Sequence, residues 1–555
     1  MRALCVALLL IVSGSTVLTA SCAAPGPRPA LERGLVASPE PHASEAGAAV
    51  LRDGGNAVDA AIAIQFALAV TFPNAGNLGG GGFLLVRTAA GESSIDYRET
   101  APSAAHRDLF LDAKGDVVPG LSLDTAKAAG VPGTVAGMWL AHRRFGSLPW
   151  KRLLEPAIRL ADEGWVLDRW SAAGFSREHR NNFHDYFRGA AGGLLVQKEL
   201  AETLRRIAED GRDGFYRGET ARLIVEEMKR SGGIVSADDL ARYEAKERKP
   251  LEGTYRGLRV VSMAPPSSGG VALLQLLNML EPREIKPLGF HSAAHVHLVC
   301  EIEKRVFADR TEHLGDPDVV NVPVRRLIAK DYAAERMKGF SADRRTDPVA
   351  IIHGTMPKER EETTHFSVVD KWGNAISNTT TLNGSYGCGL VVRGAGFLLN
   401  NEMDDFSAKP GVPNLFGVIG REANAIAPGK RMLSSMSPTF VFRDGRLWLV
   451  LGTPGGPTIF TTVFQVIVNR VDFGFSLQDA VAAPRFHHQW PPLRKESDPI
   501  FIEQAFAGTT RDPLIALGYT MLPRGRIGDV HAIEIHEGKA TGASDPRGIG
   551  RVVPE

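Results

Sequence analysis

The chain has 555 residues, with 64 basic against 63 acidic side chains and 44% hydrophobic content. That balance excludes a strongly electrostatic partner such as nucleic acid, and the apolar share is that of a globular body with a large core. Four cysteines are too few for a disulfide framework.

Arg2, an apolar run from Ala3 to Val12 and small residues through Ala24 predict a secretory signal over residues 1–24. Leu18-Thr19-Ala20-Ser21-Cys22 also resembles a bacterial lipoprotein box, with Thr19 where Leu is usual. Two outcomes stay open, lipidation of Cys22 or plain cleavage near Ala23-Ala24, and both predict a secreted or periplasmic protein. Pro25-Gly26-Pro27-Arg28-Pro29 then forms a stiff leader. No other run approaches the roughly 18 apolar residues of a membrane span.

Ala43 to Arg52 predicts a helix stopped by Asp53-Gly54-Gly55. Asn56 caps the next, Ala57 to about Val70, which is apolar on nearly every side and therefore buried. Asn77-Leu78-Gly79-Gly80-Gly81-Gly82 leads into a strand at Phe83 to Arg87. Without a following Gly-Lys-Ser/Thr, these glycines read as close backbone packing and not as a phosphate loop. Ile95 to Glu99 is a strand end, where Arg98 taken alone reads as a solvated edge residue. Helices follow after Gly130-Val131-Pro132-Gly133, then at Trp150 to Glu163, Lys198 to Asp210 and Thr220 to Ser231. Another, Val271 to Leu280, follows the turn Pro265-Pro266-Ser267-Ser268-Gly269-Gly270. His295, His297 and Glu301 share a helix, but the two histidines point about 200° apart and no partners stand at zinc spacing. No metal and no cofactor is expected. Cys300 reads as a core residue, and nothing supports a bridge to Cys388.

The chain is organised around Glu361-Glu362-Thr363-Thr364-His365-Phe366-Ser367-Val368-Val369-Asp370. Polar Met356 to Glu362 reads as an exposed loop. Phe366, Val368 and Val369 begin a strand, Asp370-Lys371-Trp372-Gly373-Asn374 turns it, and Ala375 to Leu382 runs back. Folded about Trp372-Gly373, the hairpin puts residue 363 opposite 382, give or take one, and brings Thr381 near Thr363. An ordinary hairpin would look the same on these residues alone. Further on, Asn401-Glu402-Met403-Asp404-Asp405-Phe406 places acids in a loop, where they are usually exposed. Strands at Thr439 to Arg443 and Leu447 to Leu451 run into Pro454-Gly455-Gly456, whose unobstructed N–H groups suit an oxyanion hole. Helices come first and strands gather around and after 363, an α+β pattern of layered sheets and helices.

Thr363-Thr364-His365-Phe366-Ser367-Val368, Gly373-Asn374, Thr379-Thr380-Thr381-Leu382-Asn383 and Tyr386-Gly387 together closely resemble the signature of γ-glutamyltransferases. The likeness extends to Tyr97-Arg98-Glu99, Gly130 to Gly133, Pro265 to Gly270, Asn401 to Phe406, Ser434-Ser435-Met436-Ser437-Pro438-Thr439, Pro454-Gly455-Gly456 and Ser544-Asp545-Pro546-Arg547. It implies the N-terminal-nucleophile hydrolase fold, a four-layer αββα sandwich. It also implies autocleavage between Glu362 and Thr363, giving a large subunit (25–362) and a small one (363–555) that form one catalytic domain.

The freed α-amine of Thr363, with an ordinary pKa of about 7.7–8.0, then acts as base for its own hydroxyl. A γ-glutamyl amide such as glutathione acylates that oxygen, and water or an amino-acid or peptide amine completes the reaction. By the same resemblance, Arg98, Ser434 and Ser435 hold the substrate α-carboxylate. Asn383, Glu402 and Asp405 hold its α-ammonium, Gly455 and Gly456 form the oxyanion hole, and Thr381 bonds the Thr363 hydroxyl. Thr364 and His365 are structural. Three positions depart from the family pattern. Phe416 stands where lidded members often have Tyr, Glu402 where some bacterial members have Gln, and Ile376 where Val is usual.

Two other functions compete. A glutaryl or cephalosporin-type acylase of the same fold would bring no α-amine, leaving Glu402 and Asp405 without a partner. A catalytically silent binding lipoprotein would have no use for intact Thr363, Thr381 and both glycines.

Overall fold

The computed structural model describes residues 30–347, 363–409, 411–490 and 498–555. The signal segment, Cys22, the proline-rich leader and the Met356–Glu362 loop with its scissile residue Glu362 lie outside them.

Two antiparallel sheets make the centre. The first runs in the order Arg551–Pro554, Leu35–Ser38, Thr364–Val369, Ala375–Thr381, Gly81–Thr88, Gly91–Asp96, Lys246–Arg248. The second runs Lys539–Ser544, His531–His536, Arg446–Leu451, Thr439–Arg443, Leu258–Ser262, Leu251–Tyr255. Strand alternation sorts their side chains into layers. Leu35, Ala37, Phe83, Leu85, Val369 and Ala375 of the first sheet pack against Val261, Phe440, Phe442, Val450 and Ile533 of the second. Their neighbours Val36, Leu84, Val86, Phe366, Val368 and Ile376 face outward, onto a helical layer that includes Ala57–Thr71 and Trp150–Glu163. Val260, Val441, Leu449 and Leu451 face a second helical layer, Gly269–Leu280, Ala293–His313 and Thr458–Val471. This is an αββα sandwich, and each large apolar side chain buried in it contributes about 1.5–3 kcal/mol.

The local expectations hold where local chemistry decides them. Asn56 caps the helix Ala57–Thr71 in a capping box with Asp59, and every residue of that helix is buried. Helices Trp150–Glu163 and Lys198–Asp210 have the expected bounds. The glycine run is a packing device: a Cβ on Gly80 would lie 2.1 Å from the Thr381 carbonyl oxygen. Cys300 and Cys388 are both buried free thiols.

One expectation needs correction. Strands do not gather after residue 363. Each sheet draws strands from both sides of that point, because edge-to-edge pairing within a sheet needs partners that sequence order does not reveal.

The hairpin register pairs Val369 with Ala375 and Thr364 with Thr380, so the next pair outward is 363 with 381, within the one-residue margin. Between the sheets its polar residues are held by side-chain bonds. His365 bonds Thr379 Oγ1 at 2.9 Å and Ser367 Oγ at 3.1 Å, and Ser377 Oγ donates to the Leu451 carbonyl at 3.0 Å. Burial, helped by the neighbouring His531, holds the His365 pKa well below its ordinary value, so the imidazole is neutral in this buried layer.

Candidate active site

Thr363 stands one residue before the strand Thr364–Val369, and Thr381 closes the partner strand. Both are buried. Their register leaves Thr363 Oγ1 donating to Thr381 Oγ1 at 3.4 Å, while the Asn383 N–H donates to Thr381 Oγ1 at 2.7 Å. The second bond orients the Thr381 hydroxyl. Asn383 sits at φ 75°, in the left-handed region that Asn tolerates, and its side-chain amide donates to the Asn401 carbonyl at 3.0 Å.

Thr363 and Thr381 open onto a pocket enclosing about 330 Å³, part of it open to solvent, which Arg98, Asn383, Glu402, Asp405, Ser434, Ser435 and Gly456 also line. Nine of the ten expected catalytic and substrate-binding residues therefore meet in one place. The tenth, Gly455, precedes Gly456 in the same turn.

Arg98 is no edge residue, being only 1% exposed. Its Nη1 lies 2.5 Å from Glu402 Oε2 and 3.6 Å from Glu99 Oε2, and its Nη2 contacts Asp405. The backbone carbonyls of Met432 and Leu433 accept from the guanidinium at 3.3 Å. The acids are equally sequestered: Glu402 and Glu99 are fully buried. The short turn Glu402–Asp405 folds Glu402 and Asp405 toward the Arg98 guanidinium.

Three carboxylates against one guanidinium do not all ionise. Burial pushes Glu99 up to about 8 against the pull of Arg98, and raises Glu402 well above its ordinary range. Burial also opposes the Arg98 charge, but Glu402, Asp405 and Glu99 outweigh it and hold the guanidinium ionised. Without a ligand the cluster keeps a proton.

Ser434 and Ser435 line the same pocket. The Ser434 carbonyl accepts from Ser268 N at 2.7 Å and Ser268 Oγ at 2.6 Å, and Ser435 Oγ accepts from Arg310 Nη2 at 3.2 Å. Gly455 (φ 137°) and Gly456 (φ 52°) turn the chain into the helix Thr458–Val471. Their N–H groups have no protein acceptor among the described residues, and they sit at the positive end of that helix.

A loop, 411–420, covers the pocket through Asn414, Phe416 and Val418. A Cβ on Gly456 would lie 2.8 Å from the Phe416 ring, so the bare backbone of the turn and the aromatic cover fit only as a pair. Asn414 Nδ2 donates to Asp405 Oδ1 at 3.0 Å, and Gln489 Nε2 donates to the Phe416 carbonyl at 3.0 Å. Asp404 takes the Leu415 N–H and the Ser122 hydroxyl, both at 2.6 Å.

Burial pushes the Asp404 carboxyl from 3.8 up to about 7. Its protonated form is thus favoured by folding, so this stabilisation is present below about pH 4 and lost as pH rises through about 7. Wild type is expected to lose stability relative to Asp404→Asn across that window, by at most about 4 kcal/mol, and to run parallel to it above. Thermal melts of the two proteins at a series of pH values check this. A difference that stays constant with pH would refute it.

The sequence reading missed Glu99 as a member of the cluster, Arg310 and Ser268 behind the serines, and Asp404 under the covering loop. Tyr97-Arg98-Glu99 and the Pro265–Gly270 turn stood out as motifs, but a role followed only for Arg98 and none for Glu99 or Ser268. Arg310 lies in a helix and carried no signal.

Comparison with known proteins gives a consistent picture. The family model described as Gamma-glutamyltranspeptidase matches residues 43–554. The chain is 49% identical to the glutathione hydrolase proenzyme of Pseudomonas aeruginosa, over 94% of each chain. It is 45% identical to that of Escherichia coli, over 93% of this chain and 91% of the other. Among solved structures, the cephalosporin acylase from Bacillus halodurans superposes with a TM-score of 0.81 at 27% identity, covering 94% of this chain and 96% of its own.

Proposed function

The chain belongs to the γ-glutamyltranspeptidase family, and from that premise we propose that it works as a glutathione hydrolase and γ-glutamyltransferase with the Thr363 hydroxyl as nucleophile. It is made as one precursor. The Thr363 oxygen attacks the Glu362 carbonyl carbon, the peptide nitrogen takes up a proton as the C–N bond breaks, and an ester links the two halves. Water hydrolyses that ester, leaving a carboxylate on Glu362 and a free α-amine on Thr363.

In turnover the α-amine takes the Thr363 hydroxyl proton as the oxygen attacks the γ-carbonyl of the substrate. Gly455 and Gly456 donate N–H groups to the developing oxyanion, worth roughly 3–4 kcal/mol per donor in comparable sites. The proton passes to the departing amine, and a γ-glutamyl ester remains on Thr363. Water completes hydrolysis, or an amino-acid or peptide amine completes transfer. Thr381, oriented by the Asn383 amide at 2.7 Å, steadies the nucleophile.

The observation that carries this reading is the charge of the pocket. Glu402 and Asp405 face the same space as Thr363 and share one guanidinium. A γ-glutamyl group brings both an ammonium for the acids and a carboxylate for Arg98 and the serines. A glutaryl group supplies no cation.

We expect γ-glutamyl-4-nitroanilide to be preferred over glutaryl-4-nitroanilide by at least about 100-fold in kcat/KM, because the glutaryl compound leaves buried charges unpaired. Equal or reversed preference would favour an acylase. Added dipeptide should raise anilide release if transfer operates. Residues 1–24 we read as an export signal that takes the enzyme to the periplasm or beyond, with Cys22 a candidate lipid anchor.

A further inference from the structure

Arg98 is the obvious cation of the pocket, yet its charge is already met by Glu402, Asp405 and Glu99. A second guanidinium lines the same space. Arg310 belongs to the last turn of the helix Ala293–His313, is 6% exposed and makes no ion pair among the described residues. Burial pulls its pKa down to about 10 against the pull of Asp405, so it stays charged at neutral pH.

Its two protein bonds are informative. Arg310 Nε donates to Ser268 Oγ at 2.9 Å, and Ser268 Oγ donates onward to the Ser434 carbonyl at 2.6 Å. Arg310 Nη2 donates to Ser435 Oγ at 3.2 Å. One guanidinium thus fixes both serines, the first through its backbone and the second through its hydroxyl. Because Ser435 Oγ accepts from Arg310, its own hydrogen is left to point into the pocket as a donor. The Pro265–Gly270 turn gains a purpose here. It brings Ser268 to the Ser434 carbonyl, and a Cβ on Gly269 would lie 2.5 Å from the Ser435 carbonyl oxygen.

We propose that Arg310 is a positioning and specificity residue of the α-carboxylate subsite, where it orients Ser434 and Ser435 and adds a second positive charge to that of the ion-paired Arg98. This rests on the reading of the pocket as a γ-glutamyl site. An incoming carboxylate meets two serine donors backed by a guanidinium that makes no ion pair among the described residues. Charge-assisted bonds of this kind are the strong ones.

The test compares autoprocessed wild type, Arg310→Gln and Arg310→Lys on two anilides that differ only in the α-carboxylate, γ-glutamyl-4-nitroanilide and 4-aminobutanoyl-4-nitroanilide. Arg310→Gln is expected to raise KM for the γ-glutamyl compound about tenfold or more, with a smaller change in kcat, while the 4-aminobutanoyl compound moves by no more than about twofold. Arg310→Lys keeps the charge but cannot span Ser268 and Ser435, and should fall between.

Glutamate and 4-aminobutanoate as competitive inhibitors give the same comparison where anilide turnover is slow. If Arg310→Gln does not process, Ser435→Ala should show the same selective loss. An equal loss on both compounds, or an unchanged KM for the γ-glutamyl one, would overturn the inference. Wild type that ignores γ-glutamyl-4-nitroanilide would instead sink the functional reading beneath it.

Discussion

Thr363→Ala is expected to give one uncut chain and no measurable turnover. Removing the hydroxyl removes both the group that cleaves the Glu362–Thr363 bond and the group that carries the acyl ester. Without cleavage there is also no α-amine to act as base. Loss of such a unit costs on the order of 10⁴-fold or more in kcat. Denaturing gels with intact masses check it: wild type should give two fragments, the smaller starting at Thr363, against a single chain for the variant. Thr363→Ser keeps hydroxyl and amine and should still cleave. The larger fragment's mass also tells a lipidated Cys22 from a cut near Ala23-Ala24. Wild type that stays whole under every condition would sink the enzyme reading and bring the silent binding lipoprotein forward.

The second large effect is expected at Arg98. Substitution by Met removes the guanidinium at 2.5 Å from Glu402 and in contact with Asp405, leaving buried acids without a counter-ion. Breaking a buried pair in this way costs about 3–5 kcal/mol, discounted here to the extent that the acids already carry a shared proton. The α-carboxylate of the substrate loses its bidentate partner at the same time. A fall in kcat/KM of about 10³-fold or more is expected, together with a lower melting temperature. Arg98→Lys should recover little, because an ammonium on a flexible stem cannot bridge Glu402, Asp405 and a ligand carboxylate together. A variant with near-normal KM and unchanged melting would show that the cluster is not the glutamyl site.

These two predictions draw on different kinds of information. Thr363 and Thr381 are eighteen residues apart in one hairpin, and the turn at Asp370–Asn374 with a side-chain period of two puts them together. That geometry is local and readable from the chain. The same holds for the helix that Asn56 caps and for Trp150–Glu163, where caps and apolar spacing act within a few residues. The family motifs add residue types at those positions, and the pocket gathers them.

Burial and pairing are not local. Arg98 read as a solvated edge residue and the acids from Glu402 to Asp405 as an exposed loop, because an isolated charge favours water. Folding reverses both, since each group is the other's counter-ion across 307 residues of chain in the Arg98–Asp405 contact. Arg310 reaches Ser435 across 125 residues and Ser268 across 42, and no periodicity in the helix Ala293–His313 marks which face meets the pocket. The sequence alone therefore determined the hairpin that brings Thr363 to Thr381 and the helix ends, where hydrogen-bond geometry acts over a few residues. Only the tertiary structure decided which charges are buried together and which serines are held, because the desolvation cost of each group depends on partners brought in from distant parts of the chain.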